Sequence, residues 1–404
     1  MKILFLCHRI PYPPNKGEKI RAFHQLKAMA AHHQVDLFTL ADRKSDLEHR
    51  AALLEYCEDV VVPYINPRIA RVRSLPWLAT RKPLTLPYFY SPALDHAVRR
   101  ALEERTYDRI FVSCSAMAQY VPQGSAIPVV IDLVDVDSDK WTQYASFSKP
   151  PFSLVYAREG RCLQRFEKKI CDGATCVVVS TGREAQLVRG FSGAANVHVV
   201  PNGVDAEFFS QSAYPPNQLG PAIVFTGDMS YFPNEEAVIF FSRKVLPLIQ
   251  QSVPSARFLI VGREPTPNVR RLEQLPGVEV TGFVADVRAY LAQAQVSVAP
   301  FSIAAGIQNK ILEAMAYGLP VVATPRAVQG LSKAVAALVE TGSTPQELST
   351  SILRLLANPV VACERGAQGR RRVMEDYSWT RALTDLLEAV TFPTARSRSP
   401  VASL

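Results

Sequence analysis

One stretch of the sequence decides the fold: Ser297-Val298-Ala299-Pro300-Phe301, then Ala304-Ala305-Gly306-Ile307-Gln308-Asn309-Lys310, and then Ile311-Leu312-Glu313-Ala314-Met315-Ala316-Tyr317-Gly318-Leu319-Pro320-Val321-Val322-Ala323. It predicts a buried strand, a loop of small residues, a helix that ends at Gly318 and a second strand that begins at Pro320. This order is a βαβ unit. Because the loop ends where the helix starts, unpaired backbone N–H groups and the positive end of the helix dipole meet there, which suits a phosphate.

Two charged side chains, Lys310 and Glu313, lie three residues apart and therefore share a face of the predicted helix. The ammonium group can reach a phosphate. The carboxylate has two acceptor oxygens and no donor, so it can bind a pair of sugar hydroxyls. A glutamate on a helix is more often solvated or paired with a neighbouring lysine, so the functional interpretation depends on the rest of the chain.

A second motif lies upstream. Residues Val197 to Val200 predict a short strand that runs into the turn Pro201-Asn202-Gly203-Val204-Asp205, where Asn-Gly favours positive φ. Together with the segment around Glu313, this turn resembles the nucleotide-sugar-dependent glycosyltransferases of family 4, which carry a PNGVD turn and a LEAMAxGxPVVA helix. The resemblance continues through Ser180, Gly282-Phe283 and Tyr377-Ser378-Trp379, so it spans nearly the whole chain.

Apolar and amphipathic runs alternate along the chain, which predicts parallel sheets with helices on both faces. The predicted strands cover residues 2–7, 35–40, 59–62, 109–112, 129–133, 174–179, 222–226, 257–261, 278–281 and 296–299. The predicted helices cover residues 18–32, 45–57, 92–105, 151–172, 233–250 and 284–294, followed by the helix of Glu313 and two C-terminal helices.

These elements predict an α/β fold of two doubly wound Rossmann-like domains facing a cleft, with ligand at the carboxyl ends of the strands. The resemblance identifies this architecture as the GT-B fold. We expect an acceptor-binding domain at residues 1–208 and a nucleotide-sugar-binding domain at 209–376. A helix at 377–392 then crosses back to the N-terminal domain, and a disordered tail follows at 393–404.

The composition is that of a globular protein, with 48% hydrophobic and 20% charged residues among 404. No apolar run approaches the ~18 residues that a membrane-spanning helix needs. The segment Lys2 to Cys7 is followed by His8, Arg9 and a proline-rich loop without a cleavage site, so we interpret it as a strand. Seven cysteines without a C-x-x-C pair indicate a reducing, cytoplasmic environment.

A net charge of +8 raises the question of nucleic acid, but the basic excess is divided almost evenly between the two halves, so we expect no such partner. One stretch differs. Residues 60–94, which we call the basic segment, contain no acid and interleave five basic side chains with aliphatic and aromatic ones: Arg68, Arg71, Arg73, Arg81 and Lys82. This pattern fits an anionic membrane surface. It also fits a pair of ordinary helices with buried aromatic residues beside an acceptor site.

The resemblance assigns three parts of a nucleotide-sugar site. Glu313 would bind the ribose hydroxyls, and the backbone of Gly306-Ile307-Gln308 would bind the diphosphate. Gly17 follows the first strand, where the family has a glycine loop that faces the donor, although a simple turn before a helix explains it equally well. Position and chemistry alone suggest Lys310 and Arg263 as the cations that neutralise the departing diphosphate.

Three departures from the family pattern matter. Many members carry an acid eight residues before the helix glutamate, where this chain has Ala305. Many also carry an Arg and a Lys after the first strand of the second domain, where this chain has Gly227 to Asn234. The family's frequent histidine after strand 129–133 is replaced by a segment containing Asp135 and Asp137, and either carboxylate could orient or deprotonate an acceptor hydroxyl.

Asp135-Val136-Asp137 also matches the D-x-D motif of metal-dependent glycosyltransferases, but the surrounding sequence resembles the GT-B class, whose members generally need no metal. We therefore expect no metal and no cofactor, with a UDP- or GDP-linked sugar as the substrate. No G-x-G-x-x-G follows the first strand, which disfavours a dehydrogenase.

The sequence thus predicts a retaining, hexosyltransferase-like glycosyltransferase of family 4. The segments Asp132 to Trp141 and Gly306 to Lys310 most resemble the sugar transferases of bacterial PEP-CTERM/exosortase exopolysaccharide systems. That resemblance implies a lipid-linked or polysaccharide acceptor and a cytoplasmic enzyme, peripheral on the inner face of the plasma membrane. A GT-B sugar-nucleotide epimerase and a catalytically silent sugar-nucleotide-binding scaffold are the alternatives.

Overall fold

The chain divides into two units in its computed structural model, which describes residues 1–14, 17–205, 207–209, 220–304 and 306–391. Unit 1 comprises Met1–Pro201 together with the C-terminal segment from Ala382, and unit 2 comprises Asn202–Arg381. Each unit is built on one parallel sheet. The predicted α/β class with two Rossmann-like units is therefore confirmed.

Unit 1 has a seven-stranded parallel sheet in the order β3-β2-β1-β4-β5-β6-β7. Its strands are β1 (Lys2–Cys7), β2 (Gln34–Thr39), β3 (Asp59–Val61), β4 (Arg109–Ser113), β5 (Val129–Asp132), β6 (Cys176–Val179) and β7 (Val197–Val199). Alternate residues of β1 enter different clusters, because Ile3 and Phe5 pack on one face of the sheet and Leu4 and Leu6 on the other. Both faces are thus buried, as expected for a parallel sheet.

Eight helices precede the second unit in the described part of the chain: α1 (Gly17–Ala30), α2 (Arg50–Leu53), α3 (Pro67–Ser74), α4 (Thr85–Tyr88), α5 (Pro92–Glu104), α6 (Asp137–Phe147), α7 (Phe152–Gly173) and α8 (Gly182–Phe191). Short 3-10 turns cover Lys44–His49, Leu75–Ala79 and Ser115–Tyr120. Helix α1 covers the face of the sheet that Ile3 and Phe5 enter, and α5 and α8 cover the opposite face.

A buried ion pair joins α1 to the end of β5. The guanidinium of Arg21 donates to both carboxylate oxygens of Asp132, over 2.7 and 3.1 Å, and to the carbonyl oxygen of Val200 over 2.9 Å. Gln25 donates to the same carboxylate. Because both ions are desolvated, this pair depends on the additional hydrogen bonds that satisfy it.

Unit 2 has a six-stranded parallel sheet in the order β10-β9-β8-β11-β12-β13. Its strands are β8 (Ala222–Thr226), β9 (Arg257–Val261), β10 (Val278–Gly282), β11 (Val296–Ala299), β12 (Val321–Ala323) and β13 (Glu340–Thr341). The remaining helices are α9 (Phe232–Phe240), α10 (Leu246–Ser252), α11 (Pro267–Arg270), α12 (Arg288–Leu291), α13 (Asn309–Tyr317), α14 (Lys333–Ala336), α15 (Pro345–Ala357), α16 (Pro359–Asp376) and α17 (Trp379–Thr391).

Glycines allow very close backbone contacts in unit 2. A Cβ atom on Gly262 would lie 1.7 Å from the carbonyl oxygen of Gly227, at the ends of β9 and β8. A Cβ atom on Gly366 in α16 would lie 1.9 Å from the carbonyl oxygen of Gly318, where α13 ends. Helix α16 therefore packs directly on α13.

Most of the cysteines are core residues. Six of the seven are buried, and Cys363 on α16 is exposed. Burial raises the pKa of Cys7 to about 11, which keeps that thiol protonated and unreactive near neutral pH.

Three predicted helices differ from the observed ones. The predicted helix 233–250 is interrupted by a π-helical turn at Phe241–Val245, just before Pro247, which cannot donate a backbone hydrogen bond. The predicted helix 284–294 is only α12, because Asp286 accepts from the backbone N–H of Arg288 and starts the helix there. The predicted helix 45–57 is a 3-10 turn followed by α2. Helix α6 was not predicted.

The sequence places the domain boundary between residues 208 and 209, and the two units of the structure divide between Pro201 and Asn202. The predicted C-terminal helix corresponds to α17, whose residues Ala382, Leu386 and Ala389 pack in the same cluster as α1. The predicted tail at 393–404 lies outside the described residues. No helix among the described residues is both long enough and apolar enough to cross a membrane.

Candidate functional site

The first candidate site lies at the carboxyl ends of β8, β9 and β11 and at the start of α13, all within unit 2. Ligands of open parallel sheets bind at this edge. Helix α13 begins at Asn309, and Gly318 ends it at a φ of 94°. Only glycine adopts this left-handed conformation without cost, so the predicted helix end is confirmed.

Lys310 occupies an aromatic and amide pocket at the start of α13. Its Nζ atom lies 2.6 Å from Oδ1 of Asn234 and 4.4 and 4.6 Å from the ring centres of Phe225 and Phe301. Burial lowers the pKa of Lys310 to about 7, although Glu313 and Asp228 oppose the shift. The ammonium is held by a neutral amide and two rings. An anion bound here would raise the pKa of Lys310 and so stabilise its charged form.

Gly227, directly after β8, leaves room for this lysine. A Cβ atom at Gly227 would lie 3.1 Å from Nζ of Lys310 and 2.9 Å from Nδ2 of Asn234. Asn234 is itself positioned because its Nδ2 donates to the carbonyl oxygen of Asp228 over 2.8 Å. The segment that departs from the family pattern therefore supplies the amide that binds Lys310.

Arg263, at the end of β9, forms an ion pair with Asp228. Its Nε atom lies 3.1 Å from Oδ2 of Asp228, and the hydroxyl of Ser230 donates to Oδ1 of the same carboxylate over 2.6 Å. Asp228 is also among the charges that act on Lys310. Asp228 thus forms an ion pair with Arg263 and acts on Lys310 only through its electrostatic field, and it offsets part of the charge of both predicted cations.

Glu313 lies one turn after Lys310 on α13 and is half-buried. Burial raises the pKa of its carboxyl group, and Lys310 opposes the shift. Among the residues that the structure describes, none donates a hydrogen bond to this carboxylate. Both of its oxygens are therefore available to the hydroxyls of a ligand.

The loop before α13 contains the predicted diphosphate-binding residues. Gly306 has a φ of 60°, and its carbonyl oxygen would lie 2.2 Å from a Cβ atom on Gly330. Ile307 is buried in the core, and Gln308 precedes the helix without capping it through its side chain. The N–H group of Ile311 donates to the carbonyl oxygen of Gln308, so the N–H groups of Asn309 and Lys310 are the ones that keep their capacity to bind an anion. Ala305 lies outside the described residues.

The PNGVD turn contacts the same helix. Nδ2 of Asn202 donates to Oδ1 of Asn309 over 3.0 Å. Gly203 lies against Trp379, where a Cβ atom would come within 2.5 Å of the indole, and Val204 pairs with Ser378. The motifs that carry the resemblance are thus joined in space as well as in sequence.

A second cluster lies at the carboxyl edge of the unit 1 sheet and includes both predicted aspartates. Nζ of Lys140 lies 2.7 Å from Oδ1 of Asp137 and 3.9 Å from Oδ2 of Asp135. The hydroxyl of Ser115 donates to Oδ2 of Asp137 over 3.2 Å. Burial raises the pKa of Asp135, and Lys140 opposes that shift.

Sequence reasoning missed three buried titratable groups around this cluster. Burial lowers the pKa of His8 to about 4, and its Nδ1 atom has no hydrogen-bond partner in the described part of the chain. Burial raises the pKa of Glu167 and Glu184 to about 7 each. Their carboxylates accept from the backbone N–H groups of Ser138 and Val136. The one sequence feature that could have identified any of these three groups is that His8 follows a predicted strand.

The backbone beside this cluster is strained. Cys114 after β4 has a φ of 82°, and Val134 after β5 has a φ of 64°. A positive φ is unfavourable for a β-branched residue such as valine, and strain of this kind concentrates at functional sites. Within the described residues, no group of three or more His, Cys, Asp or Glu side chains is arranged to hold a metal ion.

Gly17 begins α1 and is exposed. Asn15 and Lys16, which precede it in the predicted glycine loop, lie outside the described residues. The role of Gly17 therefore stays a prediction.

The basic segment folds as α3, a 3-10 turn and α4, with its N-terminal helix capped by Asn66. Three aliphatic side chains are exposed by 57–66%: Ile69, Val72 and Leu75. Arg68, Arg71, Arg81 and Lys82 are exposed as well. Phe89 and Tyr90 instead pack against the core, so these two aromatic residues fit the buried interpretation and the three exposed aliphatic ones do not.

Two family models match the chain. Residues 17–203 match the glycosyl transferase 4-like domain, and residues 220–358 match the glycosyl transferases group 1 domain. None of the curated proteins gives a significant sequence match.

Solved structures share the fold over nearly the full length. Sucrose-phosphate synthase from Thermosynechococcus elongatus superposes with a TM-score of 0.71 at 19% identity, covering 98% of this chain and 100% of that one. HepE from Anabaena, solved with UDP-glucose, gives a TM-score of 0.68 at 18% identity, covering 97% and 99%. A glycosyltransferase from Rickettsia africae gives 0.63 at 12% identity, covering 96% and 98%. These likenesses show the GT-B fold.

Proposed function

We propose that this chain, which has the two domains of a glycosyltransferase, binds a nucleotide-sugar donor in unit 2 and transfers its sugar to an acceptor hydroxyl. The observation that carries the proposal is the placement of Lys310 and Glu313 one turn apart at the start of α13. A cation beside free N–H groups fits a diphosphate, and an unengaged carboxylate one turn later fits a pair of ribose hydroxyls.

The reaction breaks the bond between the anomeric carbon and the diphosphate, whose electron pair leaves with the nucleoside diphosphate. The acceptor oxygen forms the new bond and loses its proton. Lys310, Arg263 and the backbone N–H groups that follow Gly306 would stabilise the negative charge that develops on the leaving group. Retention of configuration rests on the family resemblance alone.

The donor is proposed to be a UDP- or GDP-linked sugar. The Anabaena protein HepE, which shares the fold, was solved with UDP and with UDP-glucose, which supports a nucleotide sugar. Asp135 and Asp137 in unit 1 are proposed to orient or deprotonate the acceptor. Lys140 holds both carboxylates, and the raised pKa of Asp135 keeps a proton-accepting group closer to neutral pH.

We further propose a lipid-linked or polysaccharide acceptor in exopolysaccharide biosynthesis. This proposal follows from the resemblance of the sequence to the sugar transferases of PEP-CTERM/exosortase systems. The exposed cations and aliphatic side chains of the basic segment support contact with an anionic membrane on its cytoplasmic face. This placement would bring the enzyme to acceptors carried by lipid.

A second candidate is a catalytically silent sugar-nucleotide-binding scaffold. The ion pair between Arg263 and Asp228 favours it, since it offsets one of the two predicted cations. A sugar-nucleotide epimerase is the other enzymatic alternative.

Release of nucleoside diphosphate from a panel of nucleotide sugars, with and without membrane-derived acceptor lipid, tests the proposal. A transferase releases the nucleotide in an acceptor-dependent way. A scaffold binds the donor without release, and an epimerase converts the sugar while the nucleotide stays attached.

A further inference from the structure

Glu236 on α9 carries a buried carboxylate oxygen that nothing in the described part of the chain satisfies. Its Oε1 atom accepts a hydrogen bond from the hydroxyl of Ser302 over 3.1 Å. Its Oε2 atom is buried and has no hydrogen-bond partner among the described residues. A buried acceptor without a donor costs free energy, and such atoms are rare enough in native structures to indicate a functional role or a bound water or ion.

The neighbouring glutamate has no such vacancy. Oε1 of Glu235 accepts from the hydroxyl of Thr266 over 2.8 Å and from Nδ2 of Asn268 over 2.9 Å. Glu235 therefore holds the loop after β9, whereas Glu236 reaches the loop after β11. Because the two carboxylates share a helix but have different partners, Glu235 is a matched control for Glu236.

The position of Glu236 connects it to the donor site through its hydrogen-bond partner on the loop after β11. Its partner Ser302 directly follows Phe301, whose ring lies against Lys310, and opens the loop that leads through Gly306 to α13. Glu236 therefore lies beside the group proposed to bind the diphosphate, without being part of it.

We infer that Oε2 of Glu236 accepts a hydrogen bond from a hydroxyl of the donor's sugar and so helps to select that sugar. A sugar is joined directly to the diphosphate and is rich in hydroxyl donors, which is what an unpaired carboxylate oxygen requires. This inference rests on the proposed function.

The experiment compares two affinities for each protein: that of a nucleotide sugar and that of its nucleoside diphosphate alone. Isothermal titration calorimetry with UDP, GDP, UDP-glucose, UDP-galactose, UDP-N-acetylglucosamine and GDP-mannose identifies the donor that the wild type binds most tightly. The same titrations are then made with Glu236→Gln and with Glu235→Gln. Thermal melting of each variant verifies the fold.

We expect Glu236→Gln to weaken binding of the nucleotide sugar by roughly 10-fold or more, the loss typical of a hydrogen bond to a charged group. Binding of the nucleoside diphosphate should change by less than about 2-fold, because that ligand lacks the transferable sugar that Glu236 is inferred to contact. Glu235→Gln should leave the ratio of the two affinities at its wild-type value. Glu236→Gln should also discriminate less among the different nucleotide sugars.

Equal losses for both ligands would show that Glu236 only supports the loop, and unchanged affinities would show no role at all. Either result overturns the inference. Failure of the wild type to bind any nucleotide or nucleotide sugar would instead remove the proposed function, and the role of Glu236 with it.

Discussion

Nζ of Lys310 lies 2.6 Å from Oδ1 of Asn234, so the cation at the start of α13 is held by a neutral amide. The glycosyltransferases that the sequence resembles often carry two basic residues in the segment that corresponds to the one containing Asn234. Here the charge comes from the helix and the segment supplies only its partner. Because burial lowers the pKa of Lys310 to about 7, binding of an anionic ligand should increase the protonated fraction of this side chain.

Binding of UDP or GDP at about pH 8 should therefore take up close to one proton, since the diphosphate raises the pKa of Lys310 and restores its charge. Calorimetry in two buffers with different ionisation enthalpies measures this uptake. Lys310→Met should abolish the uptake and weaken binding. Identical enthalpies for the wild type in the two buffers would contradict the assignment.

Glu313→Gln should weaken binding of the nucleoside diphosphate by roughly 10- to 100-fold, because the variant loses charged hydrogen bonds to the ribose. The thermal midpoint should not fall, since no described residue depends on this carboxylate for a hydrogen bond. Glu364→Gln on the exposed side of α16 is the control. Wild-type affinity in Glu313→Gln would rule out the ribose-binding role.

Reversal of three charges in the basic segment, Arg68→Glu, Arg71→Glu and Arg81→Glu together, should reduce binding to anionic vesicles by roughly 100-fold or more, at about 1 kcal/mol for each basic residue. Vesicle co-sedimentation measures the effect. Arg73 is left intact because its guanidinium donates to the carbonyl oxygens of Pro87 and Tyr90.

The matched control for this reversal carries the same change of charge on other exposed surfaces: Arg99→Glu, Arg100→Glu and Lys169→Glu. It should retain the vesicle binding of the wild type. Equal binding by all three proteins would mean that the basic segment serves only to pack unit 1.

Gly262→Ala should destabilise unit 2 by about 3 kcal/mol, because its Cβ atom would lie 1.7 Å from the carbonyl oxygen of Gly227 and force β8 and β9 apart. Denaturant unfolding measures the loss. Gly190→Ala in α8, where a Cβ atom meets nothing within 4 Å, should be neutral or stabilising by up to about 1 kcal/mol. A tolerated Gly262→Ala would show that the two strand ends can separate at little cost.

The βαβ unit around Glu313 was predictable because local rules determine it. Gly318 ends the helix in a left-handed conformation, the strands are continuous apolar runs, and Lys310 and Glu313 follow from helical spacing. Contacts between distant elements were not predictable. The pairing of Lys310 with Asn234, and of Arg263 with Asp228, depends on how α9 and β9 pack beside α13.

The cluster in unit 1 was only partly predictable from the sequence, for the same reason. Asp135 and Asp137 stood out because they follow a strand, but nothing local to them indicates that Lys140 and Ser115 hold their carboxylates. His8 was overlooked because a histidine after a strand is unremarkable until burial is known. Helix α6 was overlooked because its first turn contains Asp137 and Asp139, which also favour a loop.

The exposed thiol of Cys363 gives this protein a built-in attachment point for a fluorophore. The six other cysteines are buried, so a maleimide dye should label the folded chain at one position without mutagenesis. That position is on α16, the helix whose Gly366 touches the end of α13. Donor binding at α13 could thus be followed optically on the unmodified sequence.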